Sequence, residues 1–184
     1  GLRFINDYAF FECKALKEIK LPEGLQSIGV GVFYRTGIKQ LTIPGSVVKI
    51  DVIDKSIKLS KPSYLKKFKR DSGAIYYEAR ATIKASGKKA VTYKASRITK
   101  IKAKTSKVTI QKGKTTKLQT RVYISKKLKK GYLDPEILKF TTSNKKVVKV
   151  SSKGTIKGLK KGKATVTVKL RTTGKTYKVN VKVK

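Results

Sequence analysis

The sequence has no histidine, no methionine, no tryptophan and one cysteine. Histidine is the side chain whose ordinary pKa suits proton shuttling near neutrality, and it is the commonest metal ligand, so its absence excludes a His-dependent enzyme. A lone thiol forms no internal disulfide. With neither a histidine nor a second cysteine it also lacks the base and ligand partners of a catalytic or zinc site. Acidic residues are scarce, 10 Asp and Glu against 47 Lys and Arg, for a formal charge of +37 over 184 residues. No run reaches the roughly 18 apolar residues of a membrane-spanning helix. The first residues show no basic segment leading into an apolar signal core. We therefore expect no cofactor, no metal, no catalytic residues and no membrane insertion.

The charge is unevenly placed. Residues 1–54 carry seven basic and six acidic side chains, a net of +1, whereas only Asp71, Glu78, Asp134 and Glu136 are acidic in the other 130 residues, which carry +36. A step in composition near Lys55 marks a module boundary.

The first module is a repeat. Ile5 aligns with Ile28 and Phe10 with Phe33. After a one-residue deletion Leu16 aligns with Ile38, Ile19 with Leu41, Pro22 with Pro44, Leu25 with Val47 and Ile28 with Ile50. A period of this length is that of a solenoid whose units each give one strand and a return segment and share an apolar face. Leu16-x-x-Ile19-x-Leu21-Pro22 reads as a short strand with Ile19 and Leu21 inward and Lys20 outward, stopped by a proline that cannot continue the ladder. Ile38-x-x-Leu41-x-Ile43-Pro44 repeats it. Ile5, Ala9, Phe10, Cys13, Leu16, Ile19, Leu21 and Pro22 resemble the repeat of the BspA-like, Treponema-type surface proteins, and on that resemblance Cys13 is a small core residue. Because about three units are needed for independent stability, two copies are expected to be the end of a longer array, with Gly1 not a native start.

From Lys107 onward the apolar positions alternate. Val108 and Ile110, then Val147 and Val150, then Ala164, Val166 and Val168, then Tyr177, Val179, Val181 and Val183 are interleaved with polar residues, mostly Lys and Thr. This predicts half-buried antiparallel strands in a small β-sandwich. The run Phe140-x-x-Ser143-Asn144-x-x-Val147-x-x-Val150, followed by Gly154-x-Ile156-x-Gly158-x-x-x-Gly162-x-Ala164-x-Val166-x-Val168, resembles the bacterial Ig-like domains of group 2. Phe140 stands where many members have Trp, and residues 123–136 read as a long loop. The resemblance implies a spacer or binding module of a surface protein, without catalytic residues.

Residues 55–105 fit neither pattern. Asp71-Ser72-Gly73 marks a turn, and 74–84 with 89–95 reads as a hairpin. An isolated hairpin is marginal in water, so it is expected to cap the last coil or to join strands at Ile57–Leu59 and Ile98–Ile101. The expected fold is mainly β: leucine-rich repeat units over 1–54, a β-rich cap or connector over 55–105, and an Ig-like sandwich over 106–184.

Asp51 and Asp54 could be offered as an acid–base pair, but the spacing reads as a solvated turn. The glycines beside Lys112, Lys114, Lys161 and Lys163 lack the strand-to-helix context of a phosphate loop. What remains is binding. Lys17, Glu18, Lys20, Lys39, Gln40 and Thr42 would face outward from the repeat strands, for a protein or glycan ligand. Lys126, Lys127, Lys129 and Lys130 are the densest cationic cluster, suited to an anionic cell-wall polymer or an acidic glycan. The expected function is adhesion or ligand presentation at a bacterial surface or wall, without catalysis. The alternative is a nucleic-acid-binding protein. Against it stand a basic set with only seven Arg and no evident stacking platform.

Overall fold

The structure, a computed structural model, describes residues 1–184. It divides into two compact units, Gly1–Arg80 with Lys94–Ser96, and Ala81–Tyr93 with Arg97–Lys184. Both are built of strands. The only helical pieces are two three-residue 3-10 turns, Ala95–Arg97 and Pro135–Ile137.

The first unit contains β1 (Phe4–Ile5), β2 (Ser27–Ile28), β3 (Gln40–Thr42), β4 (Lys49–Ile50), β5 (Lys58–Ser60), β6 (Leu65–Lys69) and the first part of β7 (Ile75–Lys84). β1, β2 and β4 pair in parallel, so that Ile5, Ile28 and Ile50 are direct neighbours, one per coil. A second parallel ladder joins β3 to β5, with Leu41 beside Leu59. The opposite wall is tied by Tyr8 N–H to the Val30 carbonyl at 2.8 Å, Phe10 N–H to Val32 at 3.0 Å and Glu12 N–H to Tyr34 at 2.9 Å. Between the walls lie Leu25, Ile28, Phe33, Ile38, Leu41, Val47 and Ile50, all at most 1% exposed. Each such side chain contributes about 1.5–3 kcal/mol by leaving water.

The repeat extends into a third coil, within the stretch that fits neither sequence pattern. Leu59-x-x-Pro62 repeats Ile19-x-x-Pro22 and Leu41-x-x-Pro44. The carbonyls of Pro22, Pro44 and Pro62 accept from the N–H groups of Leu25, Val47 and Leu65 at 3.2, 3.2 and 3.0 Å. This coil is short, with β3 and β5 offset by 18 residues where β2 and β4 are offset by 22. The residues missing are those of the aromatic return segment, which is why aligning the first two coils by their aromatics does not reveal it.

The parallel stack ends on a hairpin. β6 and β7 turn at Asp71–Gly73 and pair antiparallel, and β7 also pairs antiparallel with β4, setting Glu78 against Lys49 and Tyr77 against Ile50. This hairpin is not the expected one of 74–84 with 89–95, and its first strand, β6, lay outside the sequence reading. Lysines fill three of its five positions, and its two apolar residues, Leu65 and Phe68, fall on opposite faces, so no alternation marks it.

Three expectations for this unit are corrected. Leu16–Leu21 keeps the alternation, with Leu21 buried and Lys20 exposed, but is not a strand, since no ladder joins it to β3, which pairs with β5 alone. Cys13 is exposed rather than core. It lies on a coil covered by a neighbour on one side only, where Phe10 is half-buried although its counterpart Phe33, stacked on it at 5.7 Å, is fully buried. Asp51 is buried, not solvated, its carboxylate held by Lys49 at 2.7 Å and by Arg70. Asp54 closes a turn on Ser56 instead, and the Ser56 N–H bond holds its carboxyl below the ordinary value. The two are not arranged as an acid and a base.

The second unit takes the rest of β7, β8 (Val91–Lys94) up to Tyr93, β9 (Ile98–Ala103), β10 (Lys107–Ile110), β11 (Thr115–Lys117), β12 (Thr120–Ile124), β13 (Lys127–Leu128), β14 (Tyr132–Leu133), β15 (Leu138–Thr142), β16 (Val148–Val150), β17 (Thr155–Gly158), β18 (Gly162–Leu170) and β19 (Thr176–Val183). β8 pairs with β7 as the expected hairpin, and β9 pairs with β12. A four-stranded sheet wholly within this unit has the order β10-β19-β18-β15, and a three-stranded sheet has the order β11-β17-β16. The alternation holds along β18 and β19. Val166, Val168, Leu170, Val179, Val181 and Val183 are at most 2% exposed, while Lys169, Lys178, Asn180 and Lys182 are open to water. One pairing departs from the antiparallel expectation. β10 lies parallel to β19, with Val108 beside Val181 and Ile110 beside Val183. Strands so far apart in sequence have ample chain for the crossover a parallel pair requires.

Two sequence signals have a visible physical basis. The Asn144 side chain accepts from the N–H groups of Lys146 at 3.0 Å and Val147 at 3.3 Å, while the Ser143 hydroxyl accepts from Thr165 N–H at 2.8 Å, pinning the turn to β18. Gly154 adopts φ +79°, and a Cβ there would stand 2.8 Å from Phe140 Cζ. The phenyl ring packs on bare backbone, so glycine is required twice over, by conformation and by space.

Candidate functional site

Two surfaces collect the sequence candidates. On the first unit, β3 and β5 set Gln40 beside Lys58 and Thr42 beside Ser60, all four exposed. Lys39 adjoins them, its carbonyl accepting from Lys58 N–H at 2.9 Å. Lys17, Glu18 and Lys20 are exposed on the extended stretch of the preceding coil. Lys17 lies against Gly37, where a Cβ would meet its Cγ at 3.3 Å. The ladder thus gathers Lys39, Gln40 and Thr42 with Lys58 and Ser60, the last two missed because the third coil is truncated. Their common signal was Pro62, at the place of Pro22 and Pro44.

On the second unit the cluster at 126–130 is not part of a long loop. Ile124 and Lys127 pair directly across a two-residue turn, and both Ser125 and Lys126 have positive φ, 49° and 66°. This is the twist a tight hairpin demands. Lys126, Lys127 and Lys130 are exposed, whereas Lys129 is half-buried with its ammonium 5.5 Å from the Tyr93 ring. Lys129 and Lys130 join Lys88 and Lys89 around a hollow of about 220 Å³ floored by Ile83, Val91 and Tyr93. The cluster is therefore divided between a hairpin tip and this rim.

The wider feature is the charge of the whole unit. It holds 31 Lys and Arg against Asp134 and Glu136 alone, while the first unit holds 16 against eight. Three of the unit's tyrosines are covered by lysine: Lys100 and Lys102 sit 6.0 and 5.7 Å from the Tyr123 ring and Lys104 5.8 Å from Tyr132, besides Lys129 on Tyr93. The fourth, Tyr177, is sunk so that burial raises its hydroxyl pKa, against the opposing bond with Thr120 at 2.6 Å. Lysine thus lies over three of this unit's four tyrosine rings.

Asp134 shows what a rare carboxylate does here. Its Oδ2 accepts from Lys84 at 2.8 Å and its Oδ1 from Glu136 N–H at 3.2 Å, capping the 3-10 turn and tying it to β7. Burial acts to raise its pKa, but the Lys84 ammonium and the Glu136 N–H outweigh it and hold the carboxyl below the ordinary value. A carboxyl depressed in the folded state adds stability above its unfolded pKa of about 3.9, which is lost as the pH falls through the folded value. Asp134→Asn should therefore lower the melting temperature at pH 6, and the difference from wild type should shrink below about pH 4. A gap constant down to pH 2 in thermal melts would contradict this.

No cluster of three or more Cys, Asp or Glu side chains is placed to hold a metal ion, and no helix is long and apolar enough to cross a membrane. The site chemistry is that of display: hydroxyl, amide and ammonium groups on rigid strands. In comparisons with known protein families, residues 1–103 match the BspA type leucine rich repeat region (6 copies) and residues 97–181 match the bacterial Ig-like domain (group 2). No curated protein matches the chain.

Proposed function

Because the chain belongs to the BspA type leucine rich repeat family, and so to the surface and adhesion type of protein, we propose that it is a non-catalytic adhesion module. Its solenoid strands would present a ligand face while its Ig-like unit holds anionic polymer of the bacterial envelope. The face is that of Lys39, Gln40, Thr42, Lys58 and Ser60, a mixture of donors and acceptors suited to a protein or glycan. The observation that carries the electrostatic half is the division of charge: 31 basic against two acidic side chains in the Ig-like unit. Solubility needs net charge but not one sign, and carboxylates would serve it as well. A field of one sign draws polyanions, screened beyond about 8 Å at physiological salt.

Incubated with purified bacterial cell walls, the chain should sediment with them. Acetylating its lysines, which removes their charge, should leave it in the supernatant. Sedimentation untouched by acetylation would refute the electrostatic half of the reading.

A further inference from the structure

We propose that the outward face of the four-stranded sheet β10-β19-β18-β15 binds a linear polymer of phosphodiester-linked polyol units, lying along the strands. The inference rests on the envelope-polymer reading above and adds a place and a chemistry to it.

The pairing register puts three rows on this face. Thr109, Lys182 and Lys163 lie side by side, as do Lys107, Asn180 and Thr165, and then Lys178 and Thr167. The first two rows line a shallow groove of about 610 Å³ that contains no carboxylate and no aromatic ring. Lys163 and Lys182 are direct cross-strand partners, an arrangement that repels and destabilises. Lys139 and Lys169 repeat it further along the sheet. The other sheet carries one such pair, Lys149 with Lys157, but this face carries two, and threonine at one member of each would relieve them. An anion laid between them does the same while gaining two ammonium contacts.

The face consists of ammonium and hydroxyl donors with one amide, so it suits a ligand rich in acceptors. It offers no ring for a sugar or a base to stack on, and no guanidinium fork. Along a strand, outward residues recur every two positions, about 6.8 Å. A polypeptide advances about 3.5 Å per three backbone bonds, so a glycerol phosphate unit, with six bonds in its backbone, advances about 7 Å. Phosphates of an extended chain would then keep step with successive rows. Duplex DNA instead winds its phosphates helically, one per about 3.4 Å of axis in each strand, on a stiff rod that carries successive phosphates away from a sheet face.

The test uses the full chain and synthetic poly(glycerol phosphate) by titration, with heparin and duplex DNA as comparison ligands. The triple variant Lys107→Gln, Lys163→Gln, Lys182→Gln removes the groove cations. Lys117→Gln, Lys149→Gln, Lys157→Gln removes three exposed lysines, one direct pair among them, from the other sheet, and circular dichroism verifies that both variants fold. The expected result is wild-type binding to the polymer, weakened about tenfold or more by the groove variant and at most two- to threefold by the control. Equal losses in the two variants would overturn the assigned face and leave the envelope-polymer reading standing. Stronger wild-type binding to heparin or DNA than to the polymer would overturn the chemistry. Failure of the wild type to bind any of the three would overturn both readings.

Discussion

Val166→Asp is expected to unfold the Ig-like unit, while Thr167→Asp, one position along the same strand, leaves it folded. Val166 is fully buried at the centre of β18, paired with Thr142 on one side and Val179 on the other. A carboxylate there has no cation within the core and would lose its hydration as well as the valine packing, a cost of about 4 kcal/mol or more. That is a large part of the roughly 5–15 kcal/mol available to a domain. Thr167 points to the opposite side, directly across from Lys178 and Thr141. An aspartate there meets an ammonium in water, so the change should stay within about 0.5 kcal/mol. Amide hydrogen exchange under native conditions reads this unit by unit. Loss of protection across residues 97–184 in the Thr167 variant, or retention in the Val166 variant, would contradict the strand alternation.

The second large effect lies in the solenoid. Phe33→Ala should destabilise the first unit by about 3–5 kcal/mol, the range for an aromatic removed from a packed core. Its ring is fully buried and parallel to Phe10, within 3° at 5.7 Å. Phe10→Ala deletes the same chemistry from the same position of the preceding coil, where the ring is half-buried, and should cost less than half as much. Urea unfolding followed by exchange of the amides near Leu25, Ile38 and Val47 gives both values. Equal costs would mean that the coils are not stacked as described.

These two positions also show how much was legible beforehand. Phe10 and Phe33 align because each coil needs one aromatic to fill its width, and alternate valines mark β18 and β19 because each strand has one wet side. Both signals are repeated burial constraints, which sequence records well. The third coil went unseen because losing its return segment removed the aromatic and shifted the period, leaving Leu59 and Pro62 as its trace. β6 went unseen because lysine fills three of its five positions, on both faces, and such a run reads as a loop. The parallel pairing of β10 with β19 has no local signature, since either direction satisfies the same alternation. On the binding surfaces, the repeat pattern placed Gln40 and Thr42 correctly on a strand. Lys58 and Ser60 join them through pairing across coils, and the rows of the β10-β19-β18-β15 sheet exist only in register. The lysine cluster at 126–130 was conspicuous as a run, yet folding divides it.

The claim on which the functional account turns is that cationic side chains, not a shaped pocket, hold the chain to the envelope. Sedimentation of the intact chain with purified cell walls, measured between about 50 and 200 mM salt, tests it most directly. The account predicts a steep linear fall of log affinity with log salt, tenfold or more over that range, as several counterions return to the polymer for each chain released. Binding that holds level across the series would contradict it.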